Sequence, residues 1–193
     1  MNDFSFYLKM GLNHVLDFSA YDHILFLIAL SIVFNFTQWR KIIWLVTLFT
    51  IGHTLTLALS AYEILTINID LIEFLIPLTI FITALFNIFN SFKKKKNSGN
   101  LNLKFALCFG LIHGLGFSNY FRMMIGQEDK KLYPLLEFAL GIELAQIIIV
   151  TAILILSYFI VKQINLKKEY WVIIISLLVL LISFKMMSER IFW

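Results

Sequence analysis

Six long apolar stretches, separated by short polar segments, make up most of this chain. Allowing for a few residues at each end, they cover residues 21–36, 42–61, 71–92, 103–117, 132–161 and 170–187. A helix needs about 20 apolar residues to cross a hydrocarbon layer about 30 Å thick. The pattern therefore predicts an all-α fold, a polytopic membrane bundle of about six transmembrane helices in a single domain over residues 1–193. The shorter segment 4–16 predicts an N-terminal interfacial helix.

The composition excludes an ordinary soluble domain. Hydrophobic residues make up 60% of the chain and charged residues only 15%, against about 25% charged in a typical soluble domain. A soluble fold could not cover that much apolar surface, so the lipid bilayer is the predicted partner. The net charge of +4 does not indicate nucleic-acid binding, because the basic residues are concentrated between the apolar stretches. The sequence leaves a homo-oligomer open.

The distribution of basic residues predicts the orientation. Segment 93–100 begins with four lysines, and further basic residues follow the first and fifth apolar stretches. Segment 62–70 carries only acidic charges. Basic loops stay on the cytoplasmic side of a membrane. We therefore expect a cytoplasmic linker at 93–100 and both termini outside, in a multi-pass protein of a bacterial inner (plasma) membrane.

Four histidines lie within or beside the apolar stretches rather than in the hydrophilic loops. Ionisable side chains inside a membrane usually face the interior of the bundle, where they pair with one another, with an ion or with backbone carbonyls. The predicted orientation places these histidines and several carboxylates together in the outer half of the bundle. Imidazole and carboxylate ligands together suit Ni²⁺, Co²⁺ or Zn²⁺. The predicted metal ligands are Asp22, His23, His53, His113 and Glu143, with His14, Glu73 and Gln146 as further candidates.

Several of these residues also have a purely structural explanation. His53 could be a hydrogen-bonded packing group, and Asp22 or Glu73 could cap the N-terminus of a helix. Glu143 is harder to explain in this way, because it lies within the longest apolar stretch. Cys108 is the only cysteine, so the chain cannot build a thiolate cluster. We expect Cys108 to be a small buried side chain.

Four short motifs carry a resemblance to a known family. They are DHILFL at 22–27, GHTLTL at 52–57, HGLGF at 113–117 and GIELAQ at 141–146. Together they resemble the HupE/UreJ membrane family, and the resemblance extends from about Gly11 to the last apolar stretch. That family is associated with hydrogenase and urease accessory functions and is regarded as a group of nickel permeases. The resemblance therefore implies secondary transport of Ni²⁺ or a similar ion.

Further positions bear on the same resemblance. Glu73 and Asn87 match family-like positions, and the Asp22-His23 pair is similar to the broader nickel/cobalt transporter pattern. His14 departs from it, because the spacer 15–21 before Asp22 is longer than the family's and lacks its glycine. His14 therefore stays among the further candidates.

The predicted function is that of a permease for a divalent transition metal ion, most of all Ni²⁺, with Co²⁺ and Zn²⁺ open. One alternative is an intramembrane zinc-dependent hydrolase, in which Glu143 would act as general base beside an open metal position. Another is a membrane scaffold for metalloenzyme maturation, which transports nothing and needs no metal. Metal bound to the purified protein would support the permease and the hydrolase against the scaffold.

Overall fold

The computed structural model describes residues 3–17, 21–65, 67–92, 99–126 and 130–192. Within these ranges the regular structure is entirely helical, which confirms the predicted all-α class. Most of the predicted basic linker, residues 93–98, lies outside the described residues. The α-helices are α1 (Asp3–Leu16), α2 (Asp22–Ser31), α3 (Trp39–Ala61), α4 (Ile69–Ser91), α5 (Gly99–Ile125), α6 (Leu132–Gln163) and α7 (Lys168–Glu189).

Among the described residues, four helices are long and apolar enough to cross a membrane. They are α3 with the short 3₁₀ turn before it, α4, α6 and α7. Their bounds agree with four of the six predicted stretches to within three residues. Many of their large apolar side chains are exposed on the outside of the bundle, as expected where lipid surrounds the protein.

The first predicted span is shorter than expected. Helix α2 has 10 residues, which is about 15 Å of helix and half the thickness of the hydrocarbon layer. The chain then turns, and the backbone N–H of Phe34 donates to the carbonyl of Ser31 at 3.0 Å. Asn35 starts the 3₁₀ turn that leads into α3, where its N–H donates to the side chain of Gln38 at 3.1 Å. These local hydrogen bonds end α2 within the predicted stretch.

The fourth predicted span is longer than expected. The polar residues from Ser118 onward suggested a loop, but α5 continues for two more turns to Ile125. The Ser118 hydroxyl donates to the carbonyl of Leu115 at 2.6 Å, so this serine fits within the helix. The expectation that Cys108 is buried is wrong, because its side chain is exposed. It lies two residues before Gly110, on a face of α5 turned away from α3.

Glycines let the helices that carry His14 and His53 pack closely against a neighbouring helix. A Cβ at Gly11 of α1 would overlap the carbonyl oxygen of Phe138 of α6, and Gly141 of α6 makes the reciprocal close approach to α1. Likewise, a Cβ at Gly52 of α3 would lie 2.5 Å from the carbonyl oxygen of Leu107 of α5. Two backbones can approach this closely only where the residue between them is glycine, which has no Cβ. Helix α1 is thus packed into the bundle along α6.

Candidate metal centre

Three imidazoles from three different helices converge inside the bundle. His14 lies on α1, His23 on α2 and His53 on α3, and each offers a ring nitrogen within 4.8 Å of the other two. The ring centroids are 4.6 Å apart for His14 and His23, and 5.7 Å apart for His14 and His53. Two nitrogens bound to one tetrahedral ion at 2.0–2.1 Å stand about 3.3 Å apart. Small side-chain movements would therefore close this group around an ion.

Four ring nitrogens of this group have no hydrogen-bond partner in the described parts of the chain. His53 is completely buried, and neither of its ring nitrogens has a hydrogen-bond partner within the described parts of the chain. Within the same described parts of the chain, the buried Nε2 atoms of His14 and His23 also have no hydrogen-bond partner. A buried polar atom without a partner is unfavourable, and an ion at the site is one of its ordinary explanations. The donor set therefore fits a metal ion.

Asp22 fixes the orientation of the His23 ring. The His23 Nδ1 lies 2.9 Å from Asp22 Oδ1, which also accepts the backbone N–H of His23 at 2.8 Å. A carboxylate only accepts, so the ring proton sits on Nδ1 and the lone pair of Nε2 points elsewhere. A carboxylate behind a metal-binding imidazole commonly sets the tautomer in this way. The structure therefore places Asp22 behind His23 rather than among the three converging side chains.

His113 is a fourth imidazole at the edge of this group. Its ring centroid is 5.3 Å from that of His23. Its Nδ1–H donates to the carbonyl of Phe109 at 2.9 Å, and its buried Nε2 has no partner in the described structure. A Cβ at the next residue, Gly114, would overlap the carbonyl oxygen of His53. The glycine therefore lets α5 approach α3 at the level of both histidines.

Aromatic rings enclose the four imidazoles. Phe117 and Phe138 are stacked with centroids 5.3 Å apart, and the Phe117 ring lies 3.9 Å from that of His14. The rings of Phe26 and Phe49 each lie 5.2 Å from His113. No separate role for these phenylalanines follows from the sequence, although Phe117 belongs to the HGLGF motif. They form an apolar shell around most of the site.

Burial also favours the protonation state that binds metals. His14 lies on α1, outside the four candidate spans. Its burial, together with the nearby imidazoles of His23 and His53, lowers the pKa of His14. A buried imidazole avoids charge in this way. His14 is therefore neutral at pH 7, the form in which an imidazole coordinates a metal.

Two predicted side chains on α6 lie beside α3 and outside the group of three imidazoles. Glu143 accepts a hydrogen bond of 2.6 Å from the Thr47 hydroxyl. Gln146 is buried, and its side-chain oxygen accepts a hydrogen bond of 3.0 Å from the Thr50 hydroxyl. Thr47 and Thr50 precede His53 on the same helix. A ligand role for Glu143 and Gln146 remains a prediction.

Glu73 lies on the surface of the bundle. Its side chain is exposed near the start of α4, and its backbone carbonyl accepts a hydrogen bond of 3.3 Å from Arg190. The cap of α4 is Asn68, whose side chain accepts the backbone N–H of Asp70 at 2.8 Å. Glu73 is therefore not the N-cap of this helix, and its role in metal binding is still a prediction.

The comparison with known families agrees with the motifs. The family model described as HupE / UreJ protein matches residues 1–190, which is nearly the whole chain. The chain belongs to the HupE/UreJ family. This confirms the resemblance drawn from the four motifs, and the family together with four candidate spans makes the chain a membrane protein. No curated protein and no solved structure gives a significant match to this HupE/UreJ protein.

Proposed function

We propose that this HupE/UreJ protein binds a divalent transition metal ion and carries it across a bacterial inner membrane. The observation that supports this most is the convergence of His14, His23 and His53, each of which has a buried Nε2 atom without a hydrogen-bond partner among the described residues. Imidazole nitrogens suit Ni²⁺, Co²⁺ and Zn²⁺ better than Mg²⁺ or Ca²⁺. The family associates with nickel-dependent enzymes, so Ni²⁺ is the ion we propose first.

Imidazole nitrogens would coordinate the ion. His14, His23 and His53 supply three nitrogens, and a shift of His113 Nε2 toward His23 supplies a fourth. Asp22 holds the Nδ1 proton of His23 and contributes a negative charge close to the ion. That charge offsets part of the ion's own charge in a largely buried region.

The arrangement in the membrane extends this proposal. We infer six crossings, in which α2 and the turn after it form the first and α5 forms the fourth, with α1 packed against the outer half of α6. Both termini face outward and the linker 93–100 is cytoplasmic, following the basic loops. His23 near the start of α2 and His53 in the second half of α3 then share the outer half of the bundle.

The position of Glu143 favours a permease over a hydrolase. A hydrolase with Glu143 as general base needs this carboxylate next to metal-bound water. Instead, the carboxylate of Glu143 accepts a hydrogen bond from the hydroxyl of Thr47, which lies six residues before His53 on α3. If the protein were a scaffold that needs no metal, nothing would explain why unpaired imidazole nitrogens converge inside it.

Metal content and uptake test the proposal together. The wild-type protein, purified in detergent after incubation with Ni²⁺, should hold about one ion per chain and take up Ni²⁺ into proteoliposomes. His53→Ala removes a ligand and should weaken binding at least about tenfold. Ile51→Ala, an exposed position on the same helix, is the matched control and should behave as wild type. Wild-type protein that contains no metal after this treatment would contradict the proposal.

A further inference from the structure

A line of polar side chains continues from the imidazoles along the contact between α3 and α6. Thr47, Thr50 and His53 follow one another at intervals of three residues on α3, about 4.5 Å of helix each. All three face α6: the two hydroxyls donate to Glu143 and Gln146, and the His53 ring lies 6.5 Å from that of Phe138. The polar strip, defined as Thr47, Thr50, Glu143 and Gln146, therefore begins within one helical turn of His53.

The polar strip contains a buried group without a complete set of partners. Gln146 has no exposed surface, and its side-chain nitrogen has no hydrogen-bond partner in the described structure. Its oxygen is held by Thr50, so the unpaired end of the amide remains at the contact between α3 and α6. Oxygen and nitrogen of such an amide can exchange places by rotation. The amide could then turn its oxygen toward an ion.

The chemistry of the polar strip differs from that of the imidazole cluster. It offers one carboxylate, two hydroxyls and one amide oxygen, and all of these are oxygen donors. Oxygen ligands hold borderline divalent ions less selectively than imidazoles do, and they suit Mn²⁺ well. An ion that crosses a protein needs successive sites, each weak enough to release it. An oxygen site beside an imidazole site meets that requirement.

We propose that the polar strip is a second, oxygen-based cation site, which receives the divalent ion as it leaves the imidazoles past His53. The inference rests on the proposed transport function. Glu143 supplies the charge, while Thr47 fixes the carboxylate toward α3. The three-residue spacing of Thr47, Thr50 and His53 makes the polar route continuous along one helix.

The experiment separates binding at the imidazoles from passage beyond them. Glu143→Gln removes the negative charge and keeps the size of the side chain. Thr47→Val removes the hydroxyl that donates to the Glu143 carboxylate. Thr151→Val, at an exposed threonine of α6, is the control. For Glu143→Gln we expect Ni²⁺ affinity within about twofold of wild type but uptake into proteoliposomes lower by about tenfold. Thr47→Val should change uptake in the same direction. The control should match wild type in both measurements.

A second measurement tests the site without transport. Mn²⁺ binding, followed by electron paramagnetic resonance of the detergent-purified protein, reports on oxygen-based sites. Mn²⁺ should still bind His53→Ala and should be lost from Glu143→Gln. If Glu143→Gln takes up Ni²⁺ as well as wild type and keeps Mn²⁺, the second site is overturned and the hydrogen bond to Thr47 is structural.

The remaining outcomes are also distinct. If Glu143→Gln loses Ni²⁺ affinity as strongly as His53→Ala, Glu143 belongs to the imidazole site itself and the second site is overturned. Wild-type protein without uptake would overturn the transport function and, with it, the passage from one site to the other. The Mn²⁺ measurement would still decide whether the oxygen site exists.

Discussion

At the scale of single residues, one carboxylate determines how His23 can act. Asp22 precedes His23 in the chain and accepts both its ring proton and its backbone N–H. This satisfies a free N–H in the first turn of α2 and at the same time fixes the ring tautomer. The capping explanation and the metal explanation for Asp22 are therefore compatible.

Asp22→Asn tests this role. An amide of the same size keeps an acceptor for the backbone N–H but loses the charge that supports the metal-bound imidazole. We expect Ni²⁺ affinity to fall about 10- to 100-fold, measured by isothermal titration in detergent, with the helical circular dichroism unchanged. Asp70→Asn, at an exposed aspartate near the start of α4, is the control. Equal affinities in wild type and Asp22→Asn would show that the carboxylate has only a capping role.

The same scale shows how far the sequence could predict the site. His23, His53 and His113 stood out because ionisable residues are rare within apolar stretches. His14 ranked lower, because its spacing from Asp22 departs from the family pattern. The structure brings it to His23 through the crossing of α1 and α6 at Gly11, a contact between segments distant in sequence. The hydrogen bond from Thr47 to Glu143 is likewise invisible in local spacing.

At the scale of helices, the short α2 depends on its neighbours. The last four carbonyls of a helix have no partner within it, and in α2 one of these belongs to Ala29. The Asn87 side chain of α4 donates to this carbonyl at 2.6 Å, and Asn87 is buried. The family-like position of Asn87 thus has a structural role, since it ties α4 to the helix that carries His23. The sequence predicted α4 closely, but not where α2 ends, because hydrogen bonds after Ser31 decide that.

Asn87→Leu should loosen this contact. The substitution leaves the carbonyl of Ala29 buried without its donor, and we expect a loss of about 1–3 kcal/mol in the free energy of unfolding. Thermal unfolding in detergent, followed by circular dichroism, measures the effect. Asn90→Leu, one turn further along α4, provides the comparison. An unchanged midpoint for Asn87→Leu would mean that this bond does not contribute to stability.

At the scale of the whole molecule, the distribution of charge decides which side of the membrane the site faces. The lysines of 93–96 follow α4, whereas the connection between α3 and α4 carries one charged residue, the acidic Glu63. His53 lies in the second half of α3, nearer to the end that leads to Glu63. The imidazole cluster is therefore closer to the water on the side of the membrane that Glu63 occupies.

The orientation can be measured by cysteine labelling in intact cells. Cys108→Ser removes the only native cysteine, and single cysteines are then introduced as Glu63→Cys and Lys95→Cys. A membrane-impermeant maleimide should label Glu63→Cys from outside and Lys95→Cys only after permeabilisation, because basic loops remain in the cytoplasm. Glu63 is suitable because it is exposed between α3 and α4. Labelling of Lys95→Cys alone in intact cells would reverse the orientation. The imidazole cluster would then lie in the inner half of the bundle, and an ion would reach the polar strip first when it enters from outside.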